Sequence, residues 1–171
     1  MTRSPPDATR LVRATDADVT ALVAFVRAYH EGDGIESDPA ALPAVLRPLL
    51  ADSTRTKAAP DDDAAKGRIW FIEHAGATVG YVAVCFGYSI EFRGVDAFVD
   101  EIYLAPAVRG RGIGAQALQL AIDAVRALGV PALHLEVDPD NAAAVRLYRR
   151  AGFAERRYRL MSRVFDRAAR R

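Results

Sequence analysis

The sequence predicts an α/β (α+β) fold: a mixed, mostly antiparallel central sheet flanked by helices. Three observations carry this expectation. Strand-forming runs follow one another without an intervening helix from Arg68 to Leu104. The chain then alternates helix, strand, helix, strand as far as Phe153, an order that builds a sheet with helices packed on it. Finally, 171 residues with 51% hydrophobic content suit a single domain over 1–171 built on one core, and no internal repeat divides it.

Each element has a local cause. Leu11 and Val12 begin a short strand, and Asp16 or Asp18 caps a helix carrying Val19, Leu22, Val23, Val26 and Tyr29 on one face, expected to stop near Gly32. Ala40 to Leu50 reads as a second helix, kept short or broken by Pro43 and Pro48. Polar residues from about 51 to 67, with Pro60 followed by Asp61, Asp62 and Asp63, read as a mobile loop rather than a metal site. Ile69 to Ile72, a turn at Ala75-Gly76-Ala77 and Val79 to Tyr88 form a hairpin, and Ala97 to Leu104 is a third strand ended by Pro106. Leu118, Ala121, Ile122, Val125 and Leu128 recur at helical spacing, which predicts a helix over 112–128 closed by Gly129 and Pro131. Leu133, Leu135 and Val137 alternate as a strand, Asn141 caps a helix to about Ala151, and the chain from Phe153 returns to β.

Charge excludes some partners. Lys and Arg number 23 against 22 Asp and Glu, so no global field draws nucleic acid or an anionic membrane. Cys85 is the sole cysteine, which rules out an intramolecular disulfide or a cysteine zinc cage and reads as a small buried strand residue. The start MTRSPPDATR lacks an apolar core, and no run of about 18 apolar residues occurs, so a soluble cytoplasmic protein is expected. His30, His74 and His134 have no spacing that suggests a shared metal.

Arg109-Gly110-Arg111-Gly112-Ile113-Gly114 lies between the strand ending at Leu104 and the following helix. Free backbone N–H groups and the helix dipole favour an anion there, glycines let the backbone approach a phosphate, and the two arginines add charge-assisted hydrogen bonds. Gly110-x-Gly112-x-x-Ala115 also fits a dinucleotide fingerprint. That fingerprint wants its strand to run almost directly into the first glycine, whereas Pro106 to Arg109 intervene, after a long antiparallel β segment.

VDEIYLAPAVRGRGIGAQAL resembles motif A of the GNAT N-acetyltransferases, with the R/Q-x-x-G-x-G/A signature at Arg109, Gly112 and Gly114. NAAAVRLYRRAGF, Asn141 to Phe153, resembles the motif that follows it, where an asparagine opens a helix and a tyrosine stands seven residues on. The resemblance implies the acyl-CoA N-acyltransferase fold, with a coenzyme-binding core over about 97–153. It implies that Arg109, Gly110, Arg111, Gly112, Ile113 and Gly114 bind the acetyl-CoA pyrophosphate. The backbone of Ile102, Tyr103 and Leu104 would pair with the pantetheine arm, which Asn141 would also contact. A bulge in the strand ending at Leu104 would splay it from the strand near Leu133 and open a slot for coenzyme and amine.

The chemistry asks for an acid and a base. An alkyl ammonium, with a pKa of about 10.4, must lose a proton before it attacks a thioester, and the leaving thiolate needs one. Tyr148 stands where the family's usual general acid does. Asp100, Glu101 and Glu136 compete as base, with the first two ahead. In a regular strand Asp100 shares a face with Phe98 and Ile102 and Glu101 with Val99 and Tyr103, so one at most faces the amine unless a bulge intervenes. Substrate contacts are expected after the first helix, at Tyr29, His30 and Glu31, and at the turn with Tyr88, Glu91, Phe92, Arg93 and Asp96.

The basic segment RRYRLMSRVF reads as a strand alternating Tyr158 and Leu160 with solvated arginines rather than as a nucleic-acid contact. The expected activity is direct acetyl transfer from acetyl-CoA to a small-molecule primary amine, and a homodimer is among the assemblies that the resemblance allows. Rival readings are a protein N-terminal or lysine acetyltransferase and a non-catalytic acyl-CoA-binding module.

Overall fold

A computed structural model describes residues 8–50 and 66–165. Among them, five strands form one sheet in chain order: β1 (Arg10–Arg13), β2 (Gly67–His74), β3 (Ala77–Ser89), β4 (Gly94–Leu104) and β5 (Leu133–Leu135). The pairings from β1 to β4 are antiparallel and β4 to β5 is parallel, which is the mixed sheet that the sequence predicts. The helices are α1 (Val19–Asp33), α2 (Leu42–Leu50), α3 (Ile113–Ala127) and α4 (Ala142–Arg150). No helix among the described residues is long and apolar enough to cross a membrane.

The sheet sorts its side chains into two apolar layers by alternation. Ile69, Phe71, Tyr81, Ala83 and Tyr103 turn to one face, where Leu22 and Val26 of α1 and Leu42, Leu46 and Leu50 of α2 cover them. Trp70, Val82, Val84, Ala97 and Val99 turn to the other, beneath Ala121 and Val125 of α3. Each fully buried Leu, Ile or Val in these layers contributes about 1.5–3 kcal/mol relative to exposure. Near the start of α3, Ile113 and Ala117 close a further cluster with Ile72 and Val79.

Local chemistry sets the ends. Asp18 accepts from both the backbone N–H and the hydroxyl of Thr15 (2.8 and 2.7 Å), fixing the 3-10 turn that leads into α1. That helix passes through Gly32 and ends at Asp33, with Gly34 in the left-handed region. Pro43 falls in the first turn of α2, where no N–H is required, and Pro48 sits inside, two residues before the helix ends. Ala75 and Gly76 both have positive φ (50° and 79°), the geometry of a tight two-residue hairpin turn.

Two expectations are corrected. The β5 strand covers three residues rather than running on to Val137. The chain after Phe153 does not return to β: residues 154–165 form no strand, and Tyr158, Leu160, Met161, Val164 and Phe165 are all exposed. The alternation is present in the sequence, but a strand needs an edge to pair with, and β5 offers only three residues. Arg156 is instead drawn to Glu91 and lies over the Phe92 ring. The bulge expected in β4 is present and is described below. The loop expected at 51–67 falls outside the described residues except for Lys66 and Gly67, and Gly67 opens β2.

Candidate active site

β4 carries an extra residue at Asp100: Ala83 pairs with Glu101 and Val84 with Val99, so Asp100 has no partner on β3. This β-bulge shifts the alternation by one. Ala97 and Val99 lie in the α3 layer before it, whereas Ile102 packs there after it and Tyr103 joins the α1 layer. Asp100 and Glu101 are therefore neighbours on the α1 side, not on opposite faces as a regular strand requires. Pairing between β4 and β5 also stops at the bulge, at Val99 with Leu135. From Asp100 to Leu104 the strand runs on, paired to β3 alone, which leaves backbone groups open on its other edge.

Around this pair the aromatic residues of the α1 layer converge. The Tyr81 hydroxyl donates to Glu101 Oε2 at 2.6 Å, and His30 Nε2 meets Glu101 Oε1 at 2.7 Å. His30 and Glu101 keep 12% and 18% of their side-chain area exposed, so the pair is largely screened from water. His30 Nδ1 is buried with no hydrogen-bond partner. Burial, followed by the adjacent Glu101 charge, pushes the Tyr81 phenol far above its ordinary pKa.

Asp100 is exposed and lies near the Cys85 thiol of β3. Partial desolvation and then the Glu101 charge raise its pKa, while the thiol and His30 pull it down. The Cys85 thiol is itself pushed up to about 11, by burial first and then by Asp100, which makes it a poor nucleophile.

Tyr148 projects from α4 and meets Phe153 edge-on at 6.1 Å. Burial and then Asp33 raise its pKa, so the phenol stays protonated at neutral pH. Tyr29, whose hydroxyl bonds Asp33, is pushed up to about 12 by burial and then by Asp33; the charges of Glu101 and Tyr148 also reach it. Tyr29 thus links the β4 carboxylates to Tyr148. The Tyr29 ring also lies 5.7 Å from that of His30 and 6.2 Å from that of Tyr103.

The glycine loop sits at the other end of the open edge. Gly110 and Gly112 have φ of 75° and 80°, and Gly112 caps α3. A side chain at either would be strained, and the turn leaves the first N–H groups of α3 without intrahelical partners. Ile113 is buried beneath the sheet, and a Cβ on Gly114 would meet Leu104 at 3.4 Å. Arg109 donates through Nε to the Leu104 carbonyl at 2.8 Å and lies over the Tyr103 ring, while Arg111 is exposed.

Other expected residues lie apart from this cluster. Glu136 is exposed just beyond β5. Asn141 caps α4, its Oδ1 accepting from the Ala144 N–H at 3.1 Å. Tyr88 is 72% exposed, and Glu91 is paired with Arg156. Tyr81 and Asp33 escape the sequence reading, the first because it looks like a core strand residue and the second because it ends a helix. A signal for the bulge was available: the apolar positions Ala97, Val99, Ile102 and Leu104 step by two, three and two.

A profile of the Acetyltransferase (GNAT) family matches residues 43–153. Streptothricin acetyltransferase of Streptomyces lavendulae is 34% identical over 119 residues, covering 64% of this chain and 62% of that protein. L-methionine sulfoximine/L-methionine sulfone acetyltransferase of Pseudomonas aeruginosa is 35% identical over 80 residues, 46% of this chain and 45% of that protein. The chain therefore spans less than two thirds of the length of either relative. Among solved structures, an integron cassette protein from the mobile metagenome of Cole Harbour Salt Marsh superposes with a TM-score of 0.73 at 31% identity, over 91% of this chain and 90% of that one.

Proposed function

The chain belongs to the acetyltransferase (GNAT) family, and from that premise we propose that it transfers an acetyl group from acetyl-CoA directly to a primary amine of a small molecule. The observation that carries this reading is the pair of carboxylates that the bulge sets side by side at the start of an open strand edge. Bound acetyl-CoA supplies the activated acetyl thioester. Support for its binding comes from the turn that precedes α3. There, positive φ at Gly110 and Gly112 turns N–H groups outward beside Arg109 and Arg111, a donor set suited to a pyrophosphate. The strand edge from Ile102 to Leu104, which β5 leaves unpaired, suits an amide-bearing arm, and Asn141 is a further candidate contact for that arm.

The side chains then divide the work. Asp100 and Glu101 attract the ammonium, and one of the pair takes its proton, which frees the nitrogen lone pair to attack the carbonyl carbon. Tyr148, protonated at neutral pH, donates its proton to the departing sulfur. Tyr29 and Asp33 shape the amine's side of the site, and Asp33 adds a further negative charge for a cation. Small amines are favoured as acceptors because two relatives are named for acetylating small molecules. Isothermal titration with acetyl-CoA, followed by thiol release with small amines and with peptides as acceptors, tests this reading. It predicts coenzyme binding and release driven by small amines; release driven by peptides alone would reassign the substrate.

A further inference from the structure

We infer that Tyr81 and His30 are positioning residues that commit the Glu101 carboxylate to the role of a fixed anion, and that Asp100 is the group that takes the ammonium proton. The inference rests on the acyl-transfer reading above and assigns tasks within the carboxylate pair.

The hydrogen bonds around Glu101 decide its part. Each oxygen already accepts from a different donor, Oε2 from Tyr81 at 2.6 Å and Oε1 from His30 at 2.7 Å. The tautomer of His30 follows from its other nitrogen. Nδ1 is buried and without a partner, and a buried N–H left unbonded costs more than an unused lone pair, so the proton sits on Nε2 and points at Glu101. Tyr81 is fully buried, and its hydroxyl bonds to Glu101. A proton added to Glu101 would meet one of these donors head-on. Tyr81 could accept it only by turning its own O–H away from the acceptor it now has. The pair of donors therefore favours a Glu101 that stays an anion throughout the cycle.

Asp100 has the opposite surroundings. No donor holds its carboxylate as Tyr81 and His30 hold that of Glu101, and the residue is exposed, so a proton it receives can pass to solvent. The titratable groups that bear on it are Cys85 from β3, Glu101 from β4 and His30 from α1. Partial burial and the fixed negative charge of Glu101 both make it more willing to hold a proton. The step balances. An N–H bond of the ammonium breaks, an O–H bond forms on Asp100, the freed lone pair forms the new C–N bond, and the thioester C–S bond breaks with its electron pair leaving on sulfur. The second nitrogen proton, lost as the amide forms, offsets the one that Tyr148 gives to the sulfur.

The test is the pH dependence of kcat and kcat/KM for an accepted amine in four variants, each first checked for a native circular dichroism spectrum and thermal melt. Asp100→Asn should lower kcat by about 100-fold or more and abolish the acid limb of the profile. Glu101→Gln should retain kcat within about tenfold and move the acid limb to lower pH, because the like charge beside Asp100 is gone. Tyr81→Phe, which removes only the hydroxyl, should free the Glu101 carboxylate to leave its place, so KM for the amine rises more than kcat falls. His30→Gln, which can still donate to Oε1, should keep the unaltered profile better than His30→Ala. Loss of the acid limb in Glu101→Gln with its survival in Asp100→Asn, or an unchanged KM in Tyr81→Phe, overturns the inference alone. Absence of turnover by the unaltered chain overturns the parent reading and this inference with it.

Discussion

Asp100 is placed where its ionised form costs the folded state free energy, since partial burial and Glu101 raise its pKa above that of an ordinary aspartate. A carboxyl whose folded pKa lies above its unfolded one contributes stability that is full below the unfolded value and is lost as pH rises through the folded value. Asp100→Asn is therefore predicted to raise Tm at neutral pH, with the gain vanishing below about pH 4, where the acid is neutral in both states. Thermal melts across that range check it, and an equal gain at all pH values would mean that packing, not charge, is responsible. Tyr148, Asp100 and Glu101 were legible as chemistry because they sit in contiguous motifs. The partners of Glu101 were not, because His30 and Tyr81 lie 71 and 20 positions away in the chain and no spacing rule encodes such contacts. His30, expected to meet substrate, bonds the Glu101 carboxylate.

At the scale of elements, two departures from regularity organise the site: the bulge in β4 and the left-handed glycines that lead into α3. The helices and the first four strands followed from periodicity, caps and turn residues. The bulge lay in the sequence as an irregular step between Val99 and Ile102, visible once both faces of β4 are known to be covered. Gly112 has open space around the position of a Cβ, so substitution acts through backbone strain at φ 80° rather than through a clash. Gly112→Ala is predicted to cost about 1 kcal/mol of stability and to weaken acetyl-CoA binding several-fold, as the re-aimed N–H groups lose the phosphate. Chemical denaturation and calorimetry measure the two effects. Undiminished affinity in a destabilised variant would remove the loop from the coenzyme site.

In the molecule as a whole, the two apolar layers hold the sheet, and β4 runs on without β5 beyond the pairing of Val99 with Leu135. The segment after Phe153 adds little to either layer among the described residues, since its large apolar side chains are exposed. Its alternation suggested a strand, but alternation says only which residues would share a face, not whether an edge exists to receive them. Limited trypsin digestion is predicted to cut first at Arg157, Arg159 or Arg163 and to leave the sheet and its helices intact. First cuts within β2 to α3 would show that the segment is protected in solution. The most direct test of the proposed activity is the release of free thiol from acetyl-CoA in the presence and absence of a small primary amine, with Tyr148→Phe alongside. The account predicts amine-dependent release with an acetylated amine as product, slowed about 100-fold in the variant; release independent of amine, or a variant as fast as the unaltered chain, would contradict it.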